Sequence, residues 1–510
     1  MAAAPASLVD LLRGSAQRFP DRQAILHRGG GVSYRELWQG VRRAANALRA
    51  SGLVPGERVA LLIENSPEYV TAYYAVLQAG GVAVGLNTAQ RGAELVRNVA
   101  HCAASVLVAM PRHPALPVLL ADCPGLRRVV TLPDEGAVPA GASGWLDWLA
   151  AADDADRSAP VETRSAAAII YTSGTTGDPR GVTLSHRNLV ANTQSILGYL
   201  GLTEADRIVN VLPFYYSYGN SVLHTHLAAG GSLVLENSLT YPHLVVQTMA
   251  RERATGFSGV PSTFALLLQR VALADYDLAS LRYLTQAGGA MAPVLAQRLR
   301  AALPAVRLYV MYGQTEATAR ISYLPPERLD EKPGSVGVGI PGVSIEVRDA
   351  QGAKLPAGVA GEVCVRGDNV MLGYWENPAA TAQVLRDGWL HTGDIGRLDA
   401  DGYLSLVGRS SDMIKTGAHR VSPLEIEEVV LELAGVAECA AVGIADPILG
   451  EVVRACIVPA AGATLEARAV QAHCRDRLAA YKVPKEVVFV ASLPKTASGK
   501  VKRFMLKEAE

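Results

Sequence analysis

Residues 166–185 read Ala166-Ala-Ala-Ile-Ile-Tyr-Thr-Ser-Gly-Thr-Thr-Gly-Asp-Pro-Arg-Gly-Val-Thr-Leu-Ser185. An apolar run of strand length enters a loop of Thr172, Ser173, Gly174, Thr175, Thr176 and Gly177, and a second apolar run leaves it at Val182. Glycines let a backbone come close to a ligand and turn successive N–H groups into one concavity. The hydroxyls add donors and Arg180 adds charge. Such a loop suits a polyphosphate. The Gly-Lys-Ser/Thr ending of a P-loop is absent and the loop joins two strands instead of opening a helix, so this is a different phosphate-holding device.

Outward from the loop, helical and strand periods alternate. Tyr34 to Ala50 carries Leu37, Val41, Ala44 and Leu48 at helical spacing, and short apolar runs at 59–63, 82–86, 105–109, 207–212, 232–236 and 307–311 read as buried strands. Helices between buried strands predict an α/β body with largely parallel sheets. From about Gly334 the pattern turns to polar/apolar alternation broken by Gly, Asp and Pro, as in Ser344–Asp349, Gly361–Arg366 and Tyr403–Val407. This predicts an antiparallel sheet or barrel-like subdomain on that body. A last α+β unit begins near Ser410, with a helix from Pro423 to Leu433, strands at 440–444 and 452–458, a helix near Leu465 to Ala480 and a strand around Val487. The predicted fold is thus a large N-terminal body of two α/β sheet subdomains plus a barrel-like antiparallel one, followed by a small C-terminal domain.

The 510 residues include 48 basic and 48 acidic side chains and are 49% apolar. Zero net charge without blocks of like charge excludes the electrostatic footprint of nucleic-acid or basic membrane-surface proteins. The start, Met1-Ala-Ala-Ala-Pro-Ala-Ser-Leu8, lacks the basic and apolar regions of a signal peptide, and no apolar run is long enough to span a bilayer, so a cytoplasmic location is expected. Cys102, Cys123, Cys364, Cys439, Cys456 and Cys474 show no Cys-x-x-Cys pair or zinc-finger spacing and are read as buried free thiols.

The loop, together with a series of motifs C-terminal to it, resembles the adenylate-forming superfamily of acyl- and aryl-CoA synthetases, carrier-protein-loading adenylation domains and beetle luciferases. The resemblance rests on Tyr171–Gly181, Tyr312-Gly-Gln-Thr-Glu316, Gly361-Glu362, Gly373-Tyr-Trp375, His391-Thr-Gly-Asp394, Gly408-Arg409, Pro423-Leu-Glu-Ile-Glu427 and Pro494-Lys-Thr-Ala-Ser-Gly-Lys500, in the family's order over essentially the whole chain. It implies activation of a small carboxylic acid by ATP, with pyrophosphate release, and transfer of the acyl group to the pantetheine thiol of CoA or a carrier protein. Division into residues 1–409, a hinge at 410–411 and a mobile domain 412–510 follows from it, in a monomer or homodimer.

The resemblance also implies roles. The loop from Thr172 to Gly177, with Arg180, holds the β- and γ-phosphates. Thr315 touches the α-phosphate and Glu316 holds Mg2+, a usual task for a carboxylate beside nucleotide phosphates. Tyr312, Gly313 and the segment Gly288-Gly289-Ala290 meet adenine, Asp394 accepts from the ribose hydroxyls, and Arg409 adds a ribose or phosphate contact. Lys500 places a point charge between the substrate carboxylate and the α-phosphate. Rotation at the hinge exchanges the Lys500 face for one carrying Lys415. At the hinge Ser411 stands where Asp or Lys is usual, Ala418 replaces a common glycine beside the pantetheine tunnel, and Arg180 replaces a lysine, keeping charge with different geometry.

For the acyl pocket, Phe214, Tyr216, Tyr218, Gly219 and Asn220 match the family's pocket motif and join Val260, Gln286, Ala287 and Gly288 in a mainly apolar slot. No acid stands where many amino-acid-activating relatives hold an α-amine, which argues against a standard α-amino acid. Arg320 could meet a second substrate carboxylate or phenolate, a surface or structural salt bridge being the commoner fate of such a residue. His224 and His226 read as packed histidines. The alternative to thioester formation is a non-thiol acceptor or an unusual acid such as nitrite, which Ala418 keeps open.

Overall fold

The computed structural model describes residues 5–133, 138–158, 161–172, 180–417, 419–496 and 499–507. Ser173, Gly174, Thr175, Thr176, Gly177 and Ala418 lie outside the described residues. Parallel strands need crossover helices that cover both faces, and two sheets are built that way. In the eight-stranded sheet, Val82–Gly85, Arg58–Leu62, Val106–Ala109 and Arg128–Thr131 run parallel beside Ala166–Thr172. The strands flanking the glycine-rich loop pair antiparallel, Thr172 opposite Arg180 and Tyr171 opposite Gly181. The two ends of that loop are therefore held side by side.

The second, fourteen-stranded sheet has parallel strands Ser232–Leu235, Arg207–Asn210, Gly256–Gly259, Tyr283–Gln286 and Arg307–Tyr312. It continues antiparallel through Ser322–Leu324 and Ser335–Gly339 into Leu404–Arg409, Trp389–Leu398, Gly361–Gly367 and Val343–Arg348. The region expected to be barrel-like is thus an extension of the parallel sheet, and the described pairings form an open path. Chain 414–489 forms a separate five-stranded sheet.

The main core lies between the two large sheets. Helices Tyr34–Ala50, Pro67–Ala79 and Ser217–Ala229 share one buried cluster with Val59 and Ile170 of one sheet and Ile208 and Tyr283 of the other. The first helix has the predicted span, set by a Ser33/Glu36 capping box, and buries Leu37, Val41, Ala44 and Leu48. The C-terminal unit has its own cluster around Ile414, Val421, Ile426 and Val430. Its second helix is shorter than expected, Ala467–Arg475, because Ala479 turns extended (φ −59, ψ 146) while Leu478 packs on that cluster. All six cysteines are free, Cys439 half-buried and the others buried. Among the described residues no helix is long and apolar enough to cross a membrane.

Candidate active site

Strand Arg307–Tyr312 ends at Gly313, where a Cβ would lie 1.9 Å from the Ala319 carbonyl oxygen. Only glycine permits that approach, and it folds residues 314–319 into a tight loop. A single 3-10 turn, Thr315–Ala317, is followed by Thr318 and Ala319 at φ 52° and 82°, a conformation non-glycine residues avoid. Buried Asn369 holds the loop in place: its Nδ2 donates to the carbonyls of Ala317 (3.1 Å) and Arg320 (2.8 Å), and its own carbonyl accepts from Thr318 Oγ1 (2.6 Å). Thr315 Oγ1 consequently stands 3.1 Å from Ser217 Oγ at the start of helix Ser217–Ala229.

Glu316 Oε1 accepts from the Tyr374 hydroxyl at 2.9 Å. Tyr374 lies on a two-residue strand that pairs with the strand leaving the glycine-rich loop, Tyr374 opposite Val182. The Arg180 guanidinium sits 5.9 Å from the Tyr374 ring centroid. Burial, then the Glu316 carboxylate, pushes the Tyr374 phenol upward, so it stays a donor to Glu316. In sequence Tyr374 stands out only as a member of a motif, with no role attached. Its 58-residue separation from Glu316 gives no local signal.

At the other side of the loop, Asp394 and Arg409 are directly opposed on antiparallel strands. Asp394 Oδ1 accepts from Arg409 Nε at 3.0 Å and Oδ2 from the Tyr312 hydroxyl at 2.6 Å. Asp394, followed by Glu316, favours the charged Arg409 guanidinium, against the cost of burial. Gly288 takes φ +84°, and Gln286, itself buried, donates from Nε2 to the Gly289 carbonyl at 2.8 Å and fixes the exposed turn Gly288–Ala290.

Lys500 comes into this crevice from the C-terminal unit. Its hairpin is closed by Thr496 N–H to the Lys500 carbonyl, 2.7 Å, and by Lys500 N–H to Thr496 Oγ1, 3.1 Å. A Cβ on Gly499 would lie 2.8 Å from Val260 Cγ2, so the hairpin is seated against the start of helix Pro261–Arg270. Solvent still reaches Lys500, yet the protein around it, then Arg409, lowers its ammonium pKa while Asp394 and Glu316 oppose the shift. Three residues on, Arg503 makes an ion pair with Glu427 and so ties the segment after the hairpin to helix Pro423–Glu432. Lys415 is exposed on the strand Ile414–Thr416, between buried Ile414 and Thr416, its N–H bonded to Glu451 Oε2 at 2.7 Å, and no described contact joins it to Asp394, Arg409 or Glu316. Ser411 is exposed between the two regions.

The expected acyl-pocket residues separate. Tyr218 reaches the sheet, its hydroxyl donating to the Thr285 carbonyl at 2.8 Å; Val260 lies beside Gly288, and the Tyr216 hydroxyl accepts from Asn87 Nδ2 at 3.1 Å. Ala287 is buried at the end of the same strand. Phe214, in contrast, packs in the core on Tyr69, ring centroids 5.6 Å apart. Gly219 is needed for close packing, since a Cβ there would meet the Pro213 carbonyl at 2.2 Å. Asn220 Oδ1 bonds His224 Nε2 (2.9 Å), whose Nδ1 bonds the Tyr74 hydroxyl (2.9 Å), and His226 Nε2 bonds the Tyr283 hydroxyl (2.8 Å). Both histidines are packed, as expected, and burial lowers their pKa values to about 3 and about 4. The salt bridge expected as the commoner fate of Arg320 is not found. Arg320 is buried, its guanidinium 4.2 Å from the Tyr218 ring centroid, and among the described residues no carboxylate pairs with it.

Known proteins resemble the chain over nearly its whole length. Residues 12–375 match the family model of AMP-binding enzymes and residues 425–500 that of the AMP-binding enzyme C-terminal domain. The chain is 38% identical over 489 residues to a feruloyl-CoA synthase of Amycolatopsis, covering 95% of each protein. It is 35% identical over 496 residues to an indoleacetate–CoA ligase of Aromatoleum aromaticum, covering 96% of this chain and 94% of the other. The solved structure of the anthranilate CoA ligase AuaEII with anthranoyl-AMP superposes with a TM-score of 0.93 at 29% identity, over 99% of this chain and 97% of that one. The chain therefore belongs to the adenylate-forming acyl-CoA synthetase superfamily of AMP-binding enzymes.

Proposed function

We propose that this AMP-forming CoA ligase activates a compact aromatic acid and that Lys500, Arg409, Asp394, Thr315 and Glu316 carry the first half-reaction. ATP-dependent activation of an acid followed by transfer to CoA is the activity of the family to which the chain belongs. The observation that supports the residue assignment is the seating of the Lys500 hairpin of the C-terminal unit against Val260 of the body, near enough to Arg409, Asp394 and Glu316 for their charges to bear on its ammonium. Aromatic acids are favoured because three relatives are named for ferulate, indoleacetate and anthranilate, and because Tyr218, bonded to Thr285, and the apolar Val260, beside Gly288, stand by the strand Tyr283–Gln286.

In the first step a carboxylate oxygen of the acid attacks the α-phosphorus of ATP, and the bond to the pyrophosphate oxygen breaks. Both reactants are anionic, so fixed cations that need no reorganisation lower the barrier. Lys500 would neutralise charge between carboxylate and α-phosphate with Arg409 near it, Arg180 would meet the β- and γ-phosphates, and Asp394 keeps acceptor capacity for ribose hydroxyls. In the second step the CoA sulfur attacks the acyl carbon of the adenylate, AMP leaves, and the thiol proton passes to solvent. Rotation about Ser411 would withdraw Lys500 and bring up Lys415.

Mg2+ takes hard oxygen donors and keeps only one or two carboxylates beside phosphate ligands. Glu316 Oε2, whose partner oxygen is held by Tyr374, and the neighbouring Thr315 hydroxyl fit that donor set. When bound, the ion would neutralise phosphate charge. We place the domain division at 410–411 and the enzyme in the cytoplasm. The test is incubation with ATP, Mg2+, CoA and a panel of aromatic and aliphatic acids, products identified by mass spectrometry. Aryl-CoA and AMP are expected; adenylate without any thioester, or turnover confined to aliphatic acids, would defeat the reading.

A further inference from the structure

Outside the crevice, the strands Gly361–Gly367 and Trp389–Leu398 place Cys364 opposite His391. Glu362, two residues before Cys364, projects on the same face of its strand. The register shifts between Glu362 and Cys364, so Thr392-Gly393-Asp394 bulges from the partner strand directly beside them. As a result Glu362 Oε2 is 2.8 Å and Cys364 Sγ 3.4 Å from the same His391 atom, Nδ1. All three donor atoms lie within 4.8 Å of one another.

A hydrogen on His391 Nδ1 can be donated to Glu362 and shared weakly with the Cys364 sulfur; a thiophilic cation in its place would take a bond from all three donor atoms. Bond lengths of about 2.3 Å to sulfur and about 2.0 Å to nitrogen at a tetrahedral angle put sulfur and nitrogen about 3.5 Å apart, close to the observed separation. Nitrogen and oxygen would need to part by about 0.5 Å, a small adjustment for a half-buried carboxylate. The competing cation, Arg386, approaches Glu362 Oε2 only to 3.6 Å and is on an exposed side chain that can swing away.

We propose that Glu362, Cys364 and His391 form a binding site for a thiophilic divalent cation of the zinc class, separate from the Mg2+ position at Glu316. Ligands are drawn from two strands, so no sequence spacing announces them. Burial first, then Glu362, raises the Cys364 thiol to about 11. Cation uptake therefore exchanges one thiol proton into solvent as the sulfur–metal bond forms. Glu362 Oε1 also accepts from Gly393 N–H at 3.3 Å. The site thus adjoins the turn that presents Asp394.

The test uses the full-length protein, freed of transition metals and kept in saturating Mg2+ to fill hard-oxygen sites, titrated with Co2+. One equivalent should give near-ultraviolet thiolate-to-cobalt absorption with release of one proton, reversed by Zn2+. Cys364→Ser should abolish the band, and Glu362→Gln, which keeps the shape of the site, should weaken cobalt binding at least ~10-fold. Absence of the band in the native protein overturns the proposal. So does a band of equal strength in Cys364→Ser, or undiminished affinity in Glu362→Gln if the serine variant fails to fold.

Discussion

Two hairpins of the C-terminal unit each carry a lysine, and they are in opposite situations. Lys500 is on a hairpin seated against Val260 and feels the charges of Arg409, Asp394 and Glu316; Lys415 is exposed on its own hairpin, bonded through its N–H to Glu451 and with no described contact to those groups. Their difference is one of placement and not of chemistry, since either ammonium could serve as a mobile charge. A domain that can show one face at a time can separate two half-reactions that need different surroundings for the same adenylate.

The strongest way to break this comparison is to remove each lysine and measure both half-reactions. Lys500→Ala should lower ATP–pyrophosphate exchange by at least ~100-fold, the scale of one lost preorganised contact, and spare thioester formation from supplied adenylate. Lys415→Ala should spare exchange and slow the thioester step about 10-fold, a loss of ~1.4 kcal/mol. Equal damage to both steps in either variant would end the division of labour. Next, Ser411→Pro, which fixes φ at the proposed pivot, should slow thioester formation on the order of 10- to 100-fold in stopped-flow assays while exchange persists. Exchange lost with it would move the pivot elsewhere.

A smaller effect is expected at Tyr312. Tyr312→Phe removes one hydrogen bond to the Asp394 carboxylate and should raise the KM for ATP about 5-fold, with the thioester step unchanged. The Lys500 side of the comparison also carries a pH dependence. Because surrounding protein and Arg409 lower the Lys500 pKa, the cation is present below the lowered value and lost as pH rises through it. Adenylation should therefore show an alkaline limb in kcat/KM below the ordinary lysine value of 10.5, which Lys500→Arg moves upward. An unmoved limb would assign it to another group.

Legibility from sequence followed the range of the interactions. The helix Tyr34–Ala50 could be read to the residue because its cap, period and end are all local. The strands flanking residues 173–179 were equally plain, since an apolar run interrupted by glycine and hydroxyl residues has few other meanings. The antiparallel strands after Gly334 were recognised as such, but their fusion with the parallel sheet through Ser322–Leu324 and Ser335–Gly339 was not. Short strands carry no mark of their distant neighbour. In the site, Asp394 and Arg409 were found as motif members, whereas their mutual pairing is a matter of register. The surroundings of Phe214 and Arg320 were beyond the sequence for a related reason: a ring packed on Tyr69 and a buried arginine resting on the Tyr218 ring look in sequence like any other phenylalanine and arginine.

The hydrogen bond from Tyr374 to Glu316 has a practical consequence for anyone recombining such enzymes. Tyr374 is paired to the strand that leaves the glycine-rich loop, so that strand, the short one beside it and the turn bearing Glu316 share one mechanical frame although nearly two hundred residues of chain separate their ends, 180 to 374. A crossover placed between them would join parents whose frames were fitted to different partners.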